Sequence, residues 1–183
     1  MNNHTLALFL HFVGLVGLFV GYGLEWIVSA LLRGATTADQ LRAWLRVYRA
    51  SLPISGPGLL ILIFSGWYLA SSSGAMKQGW VAATFLAILL ALGIGFAFIL
   101  PRVRAIRGAL PEGSGGLPAN VIALLHAPAL PTLIRVRGFL ALGIVYLMTE
   151  KPESLGVSLE ILAGAIVLGV LFSASTFLKP KTA

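Results

Sequence analysis

Five residues near the start of the chain have the spacing of a chemical track. His4, His11, Gly14, Gly21 and Glu25 are separated by 7, 3, 7 and 4 positions. At about 100° per residue, each of these steps returns close to the same side of an α-helix. Ionisable residues in an apolar segment are costly and mark functional positions, so His4, His11 and Glu25 are the candidates to bind a cofactor such as haem b, to hold a quinone, or to relay protons. The same stripe also suits close helix packing. Its glycines would admit a neighbouring backbone, His11 would hydrogen-bond across helices, and Glu25 would pair with an arginine near the membrane surface. Gly17 and Gly21 add a GxxxG spacing, so Gly14, Gly17 and Gly21 are the packing candidates. Either use requires the stripe to face protein rather than lipid.

A haem held by two histidines needs both ligands within a few ångströms of one iron. His4 and His11 share one helix and cannot face each other across a ring, while His126 belongs to the opposite side of the membrane from His11. His126 is read as an interfacial residue, and a haem with a single protein ligand stays open. Glu160 lies at a depth comparable with His11 but is expected at the exposed interface. For Glu25 the nearest cations are Arg33, Arg49 and Arg135. No serine, histidine and acid converge at one depth, so no catalytic residue is assigned. The Gly113–Gly116 run lacks the lysine and preceding strand of a phosphate loop. With no cysteine in the chain, disulfides, iron–sulfur clusters and thiolate metal sites are excluded, and no metal-ligand set is assigned.

The elements that would carry these residues are membrane spans. Hydrophobic residues make up 58% of the 183 positions and charged residues 10%, with a mean hydropathy of +0.94. A spanning helix needs about 20 mostly apolar residues, and five segments qualify, at 5–32, 53–71, 78–100, 133–149 and 154–178. The first has no basic residue ahead of it and runs too long for a signal peptide, so it is read as a retained span. Residues 38–51 place Leu41, Trp44, Leu45 and Tyr48 on one face and arginines opposite, the pattern of an in-plane interfacial helix. Residues 118–131 are apolar but interrupted by Pro128 and Pro131, and are read as a second, kinked interfacial or re-entrant helix. The fold class is therefore all-α: one integral membrane domain over 1–183, a polytopic bundle of about five spans with interfacial amphipathic helices.

Charge sets the expected orientation. Arg33, Arg42, Arg46, Arg49, Arg102, Arg104, Arg107, Arg135, Arg137, Lys179 and Lys181 fall on one side, and only Lys77 and Lys151 on the other. The positive-inside rule then puts the N-terminus outside and the C-terminus in the cytoplasm of a bacterial inner membrane. The eight arginines from Arg42 to Arg137 are expected at the lipid headgroups. The net charge of +7 is thereby used for topology, and no nucleic-acid motif accompanies it. A short echo, Arg46-Val47-Tyr48-Arg49 against Arg104-Ala105-Ile106-Arg107, each followed three residues later by Leu-Pro, is too brief to be an internal repeat.

Two stretches, Leu10-His11-Phe12-Val13-Gly14 and Leu142-Gly143-Ile144-Val145-Tyr146-Leu147-Met148-Thr149-Glu150-Lys151-Pro152, resemble the first and fourth helices of uncharacterised bacterial integral-membrane proteins. These in turn resemble the copper-resistance CopD and HemJ-type membrane proteins. The resemblance covers about a third of the chain and implies a small helical bundle whose histidine at position 11 touches haem or metal. Three histidines and three methionines in all depart from the His- and Met-rich pattern of copper handling. The leading expectation is a non-catalytic membrane protein, an accessory subunit of a larger membrane complex or a homo-oligomer. A haem- or quinone-associated redox protein using the His11 stripe comes second, and a small-solute or proton transporter third.

Overall fold

The computed structural model describes residues 2–177, so Leu178, Lys179 and Lys181 lie outside the described residues. The described chain is all helix apart from turns, and five helical stretches are long and apolar enough to cross a membrane: Asn3–Arg33, Ala38–Ser72, Gly79–Gly108, Ala119–Glu150 and Leu155–Ser175. It is a multi-pass helical membrane protein.

The first helix, α1 (Asn3–Arg33), starts at the Asn2 cap, whose side chain accepts from the His4 amide. The second, α2 (Ala38–Ser72), is capped by Thr37, which accepts from the Gln40 amide. It runs without a break through the expected interfacial stretch 38–51 into the expected span 53–71. The two stretches were expected as separate elements, yet they form one helix with Pro53 and Pro57 inside it. Each removes one backbone donor, freeing the Arg49 and Pro53 carbonyls, while the nearby Ser51 and Ser55 hydroxyls bond other carbonyls of the same helix, those of Tyr48 and Ser51. Neighbouring helices and serine hydroxyls are the usual means by which a membrane helix tolerates proline.

The third crossing is composite. An α-helix, α3 (Gly79–Gly93), passes into a turn of π-helix at Ile94–Ile99 and continues as α4 (Leu100–Gly108). This span was expected to end at residue 100, yet Pro101 and the arginines after it continue the helix. The proline sits inside the continuous helix, directly after the π turn, and the Arg102 guanidinium donates to the Phe98 carbonyl at 2.8 Å.

The segment expected as an interfacial helix at 118–131 divides differently. A short α5 (Ala119–His126) is followed by α6 (Ala129–Glu150), which absorbs Pro131 in its first turn. The fourth crossing therefore begins before residue 133 and carries Arg135 and Arg137 inside the bundle. It ends at Lys151, which adopts left-handed backbone at φ 49° ahead of Pro152. The last helix is α7 (Leu155–Phe177).

Two seams organise the packing. Helices α1 and α2 form the closest antiparallel pair, and α6 with α7 form the second, while α3 joins the latter through the small residues Ala83, Ala87 and Ala91. The largest buried cluster gathers at the arginine-rich end, where Val28, Leu32, Leu41, Tyr48, Ile106, Val121 and Ile134 meet from five helices. The loop after α4 is strapped to the start of α2. The Ala38 amide donates to the Gly115 carbonyl, Thr37 pairs with Gly116, and Arg42 reaches the carbonyls of Pro111 and Gly113 while pairing with Asp39.

Candidate functional site

The stripe on α1 faces α2 and α6, and each of its members except His4 meets a neighbouring helix. A Cβ at Gly14 would lie 2.8 Å from the Gly58 carbonyl, one at Gly21 would lie 2.4 Å from Ser55 Cβ, and one at Gly58 would lie 2.8 Å from the Leu18 amide. Backbones approach this closely only where no side chain intervenes, as small-residue seams allow in membranes. Gly17 has more room, its nearest neighbour being Gly58 Cα at 3.4 Å.

His11 lies half-buried in the same seam, where its Nδ1 is 3.1 Å from Ser65 Oγ. The Ser65 hydroxyl donates back to the Ile61 carbonyl, an arrangement that pairs with the imidazole tautomer protonated at Nδ1. Gly66 makes space for the ring, since a Cβ there would sit 3.2 Å from His11 Cε1. The other histidines are remote in kind. His4 is exposed in the first turn of α1, and His126 is exposed with Nδ1 2.9 Å from the Ile122 carbonyl of its own helix. The residues do not fit a bis-histidine haem, because His11 is the one imidazole seated between helices and its ring fills the seam. Among the described residues no group of three or more histidines and carboxylates could hold a metal ion. Glu160 is exposed near the start of α7.

Glu25 sits where α1, α6 and the π turn converge. Its carboxylate is 2% exposed and pairs with Arg137 of α6, which is 9% exposed. The Arg137 guanidinium also lies over the Tyr22 ring, 4.4 Å from its centroid, a cation–π contact that strengthens when water is excluded. Gly95, within the π turn, leaves the guanidinium its space, because a Cβ there would be 2.9 Å from Arg137 Nη1. π turns recur at functional sites in helices, and here the turn carries the glycine that accommodates the cation.

Two positions earlier, Arg135 takes the other side of α6. Its guanidinium lies 6.0 Å from the Trp26 ring and 5.9 Å from the Phe172 ring, and it donates to Ser173 Oγ at 3.2 Å. Ser173 in turn bonds Thr132 at 2.6 Å. Trp26, Phe139 and Phe172 form a triangle with centroids 5.5 to 6.2 Å apart around this group. Both arginines were expected at the lipid headgroups, and both are instead buried within the bundle. The reason is the early start of α6, which carries them about two turns into a helix flanked by α1 and α7. Sequence reasoning placed Glu25 beside Arg33, Arg49 or Arg135, whereas Arg137 is its partner. Two arginines within the first turns of the span expected at 133–149 are the sequence signal that could have found this pairing.

Two spaces border these groups. A groove of about 440 Å³ runs along the α1–α2 pair near the end opposite the arginines, lined by Leu6, Leu10, Leu60, Phe64, Ser65 and Tyr68 among others, and nearly all of its surface is apolar. At the centre, between Tyr22, Leu59, Leu92 and Ile144, a void of about 20 Å³ has room for about one water. Comparisons with protein-family models, with curated proteins and with solved structures each found no match to this chain.

Proposed function

We propose that this chain is a non-catalytic integral membrane protein acting as a packing subunit, alone as a homo-oligomer or beside a larger membrane complex. The observation that carries this reading is the use of the α1 stripe. Gly14 and Gly21 are spent on the contact with α2, His11 on Ser65, and Glu25 on Arg137. Groups held in this way specify how helices fit together, and chemistry requires groups that a substrate can reach. The narrow central void also argues against a hydrated path, and so against the transporter reading. The proposed site of action is the bacterial inner membrane with the N-terminus outside, supported by the exposed Arg46, Arg49, Arg104 and Arg107 gathered at one end.

A second reading is favoured by one observation: Ser65, the partner of His11, also lines the apolar groove. A quinone could lay its isoprenoid tail along Leu6, Leu10, Leu60 and Phe64 and reach Ser65 or the Tyr68 hydroxyl with a carbonyl oxygen. Purification in mild detergent separates the two. Native mass spectrometry should give a stoichiometric assembly, a visible spectrum should lack a Soret band, and organic extraction should release no quinone. A Soret band lost in His11→Phe, or one quinone per chain lost in Ser65→Leu, would replace the subunit reading with a redox one.

A further inference from the structure

We propose that Arg46, Arg49, Arg104 and Arg107 form a docking surface for the phosphate of anionic phospholipids, held in shape by the fold. Each pair is an Arg-x-x-Arg unit on a helix, and each is anchored by the residue just before its second arginine. Tyr48 and Ile106 are 6% and 1% exposed and belong to the same buried cluster, while all four arginines stand exposed. The strap between the post-α4 loop and the start of α2 keeps the two units at the same end of the bundle.

The charge on this surface is not neutralised by an ion pair among the described residues. Of the carboxylates, Asp39 is taken by Arg42 and Glu25 by Arg137, and Glu150, Glu153 and Glu160 lie toward the opposite end, leaving Glu112 in the loop. Like charges one turn apart on a helix repel, so each unit is more stable with an anion between its guanidiniums. A phosphate accepts from two such forks at once. Val47 and Leu52 are exposed beside the first pair and supply apolar contact for the acyl chains below the phosphate. That combination selects a lipid over a free anion.

A topological role alone asks only for basic residues near the membrane, in any arrangement. The lipid site is tested on full-length protein in zwitterionic detergent, where orientation plays no part. Phosphatidylglycerol and phosphatidylcholine are added in turn, and bound lipid is counted by native mass spectrometry. Wild type should retain phosphatidylglycerol and little phosphatidylcholine. Each Arg→Gln change among the four should weaken retention about fivefold, from about 1 kcal/mol per basic residue at a lipid surface. The matching Arg→Lys variants should keep only part of it, because an ammonium lacks the fork, and Lys77→Gln at the opposite end should have no effect. Equal retention of the two lipids, or full retention in a folded Arg46→Gln/Arg49→Gln/Arg104→Gln/Arg107→Gln variant, would overturn the proposal. So would displacement of the lipid by millimolar inorganic phosphate, which would make the ligand a free anion, or by polyglutamate, which would indicate an acidic protein partner. If the quadruple variant does not fold, a salt titration of wild type decides: phosphatidylglycerol retention should fall with ionic strength, and salt-independent retention refutes the site.

Discussion

Glu25 of α1 and Arg137 of α6 form a salt bridge inside the bundle, with Tyr22 over one face of the guanidinium and Gly95 leaving its edge room. A charge pair removed from lipid and water binds helices by its mutual dependence, since either partner alone is a buried, uncompensated ion. It joins the α1–α2 pair to the α6–α7 pair at the level of the π turn.

Removing one partner of such a pair costs about 3–5 kcal/mol, because the other charge is left behind, while replacing both with apolar residues is often close to neutral. Glu25→Ala and Arg137→Ala should each lower the melting temperature in detergent sharply, Glu25→Leu/Arg137→Leu should recover much of the loss, and Glu112→Ala in the exposed loop should do nothing. An unchanged melt for Glu25→Ala would show that the pair carries no stability.

Gly95 and Gly93 lie two residues apart and differ in their surroundings. A Cβ at Gly95 meets the pinned guanidinium, whereas one at Gly93 meets nothing within 4 Å. Gly95→Ala should destabilise by about 1–3 kcal/mol, the range for forced overpacking, and Gly93→Ala should be neutral or stabilising by up to about 1 kcal/mol through helix propensity. The Gly95→Ala penalty should shrink in an Arg137→Leu background. If it persists there, the clash is not with the arginine.

The α1–α2 seam gives a similar contrast. Gly21→Ala and Gly58→Ala must push backbones apart, whereas Gly23 has open space and Val20 is exposed. The first two should lose about 1–3 kcal/mol, and Gly23→Ala and Val20→Leu should melt as wild type does. Similar melts for all four would mean that the seam is not tight in the folded protein.

His11 and Ser65 should couple weakly. Interhelical hydrogen bonds between polar side chains in membranes average about 0.6 kcal/mol, so a double-mutant cycle with His11→Phe and Ser65→Ala should return a coupling of that order. A coupling well above it would point to a bound group that engages both residues.

The proposed orientation can be read by labelling, because the chain has no cysteine. In intact cells a membrane-impermeant thiol reagent should modify Ser72→Cys and leave Ser114→Cys untouched until the membrane is opened. The reverse pattern would invert the topology.

Hydrophobicity and helical period are local properties, and they were enough to determine that this chain is all-α, that it has five helices long and apolar enough to cross a membrane, and that one face of its first helix turns toward protein. A run of about 20 apolar residues satisfies its backbone in lipid as a helix, and helical spacing alone places His11, Gly14, Gly21 and Glu25 on one face. What only the tertiary structure decided was which groups meet. Whether Pro53 divides a helix or is absorbed into it depends on the neighbours packed against that stretch, where Ser51 and Ser55 are buried. Whether Arg137 is a headgroup residue or a buried counter-ion depends on α6 starting at Ala129 rather than at residue 133, a shift of about one turn. That shift also placed Gly95 beside the guanidinium, a proximity that exists only once two distant segments have packed together.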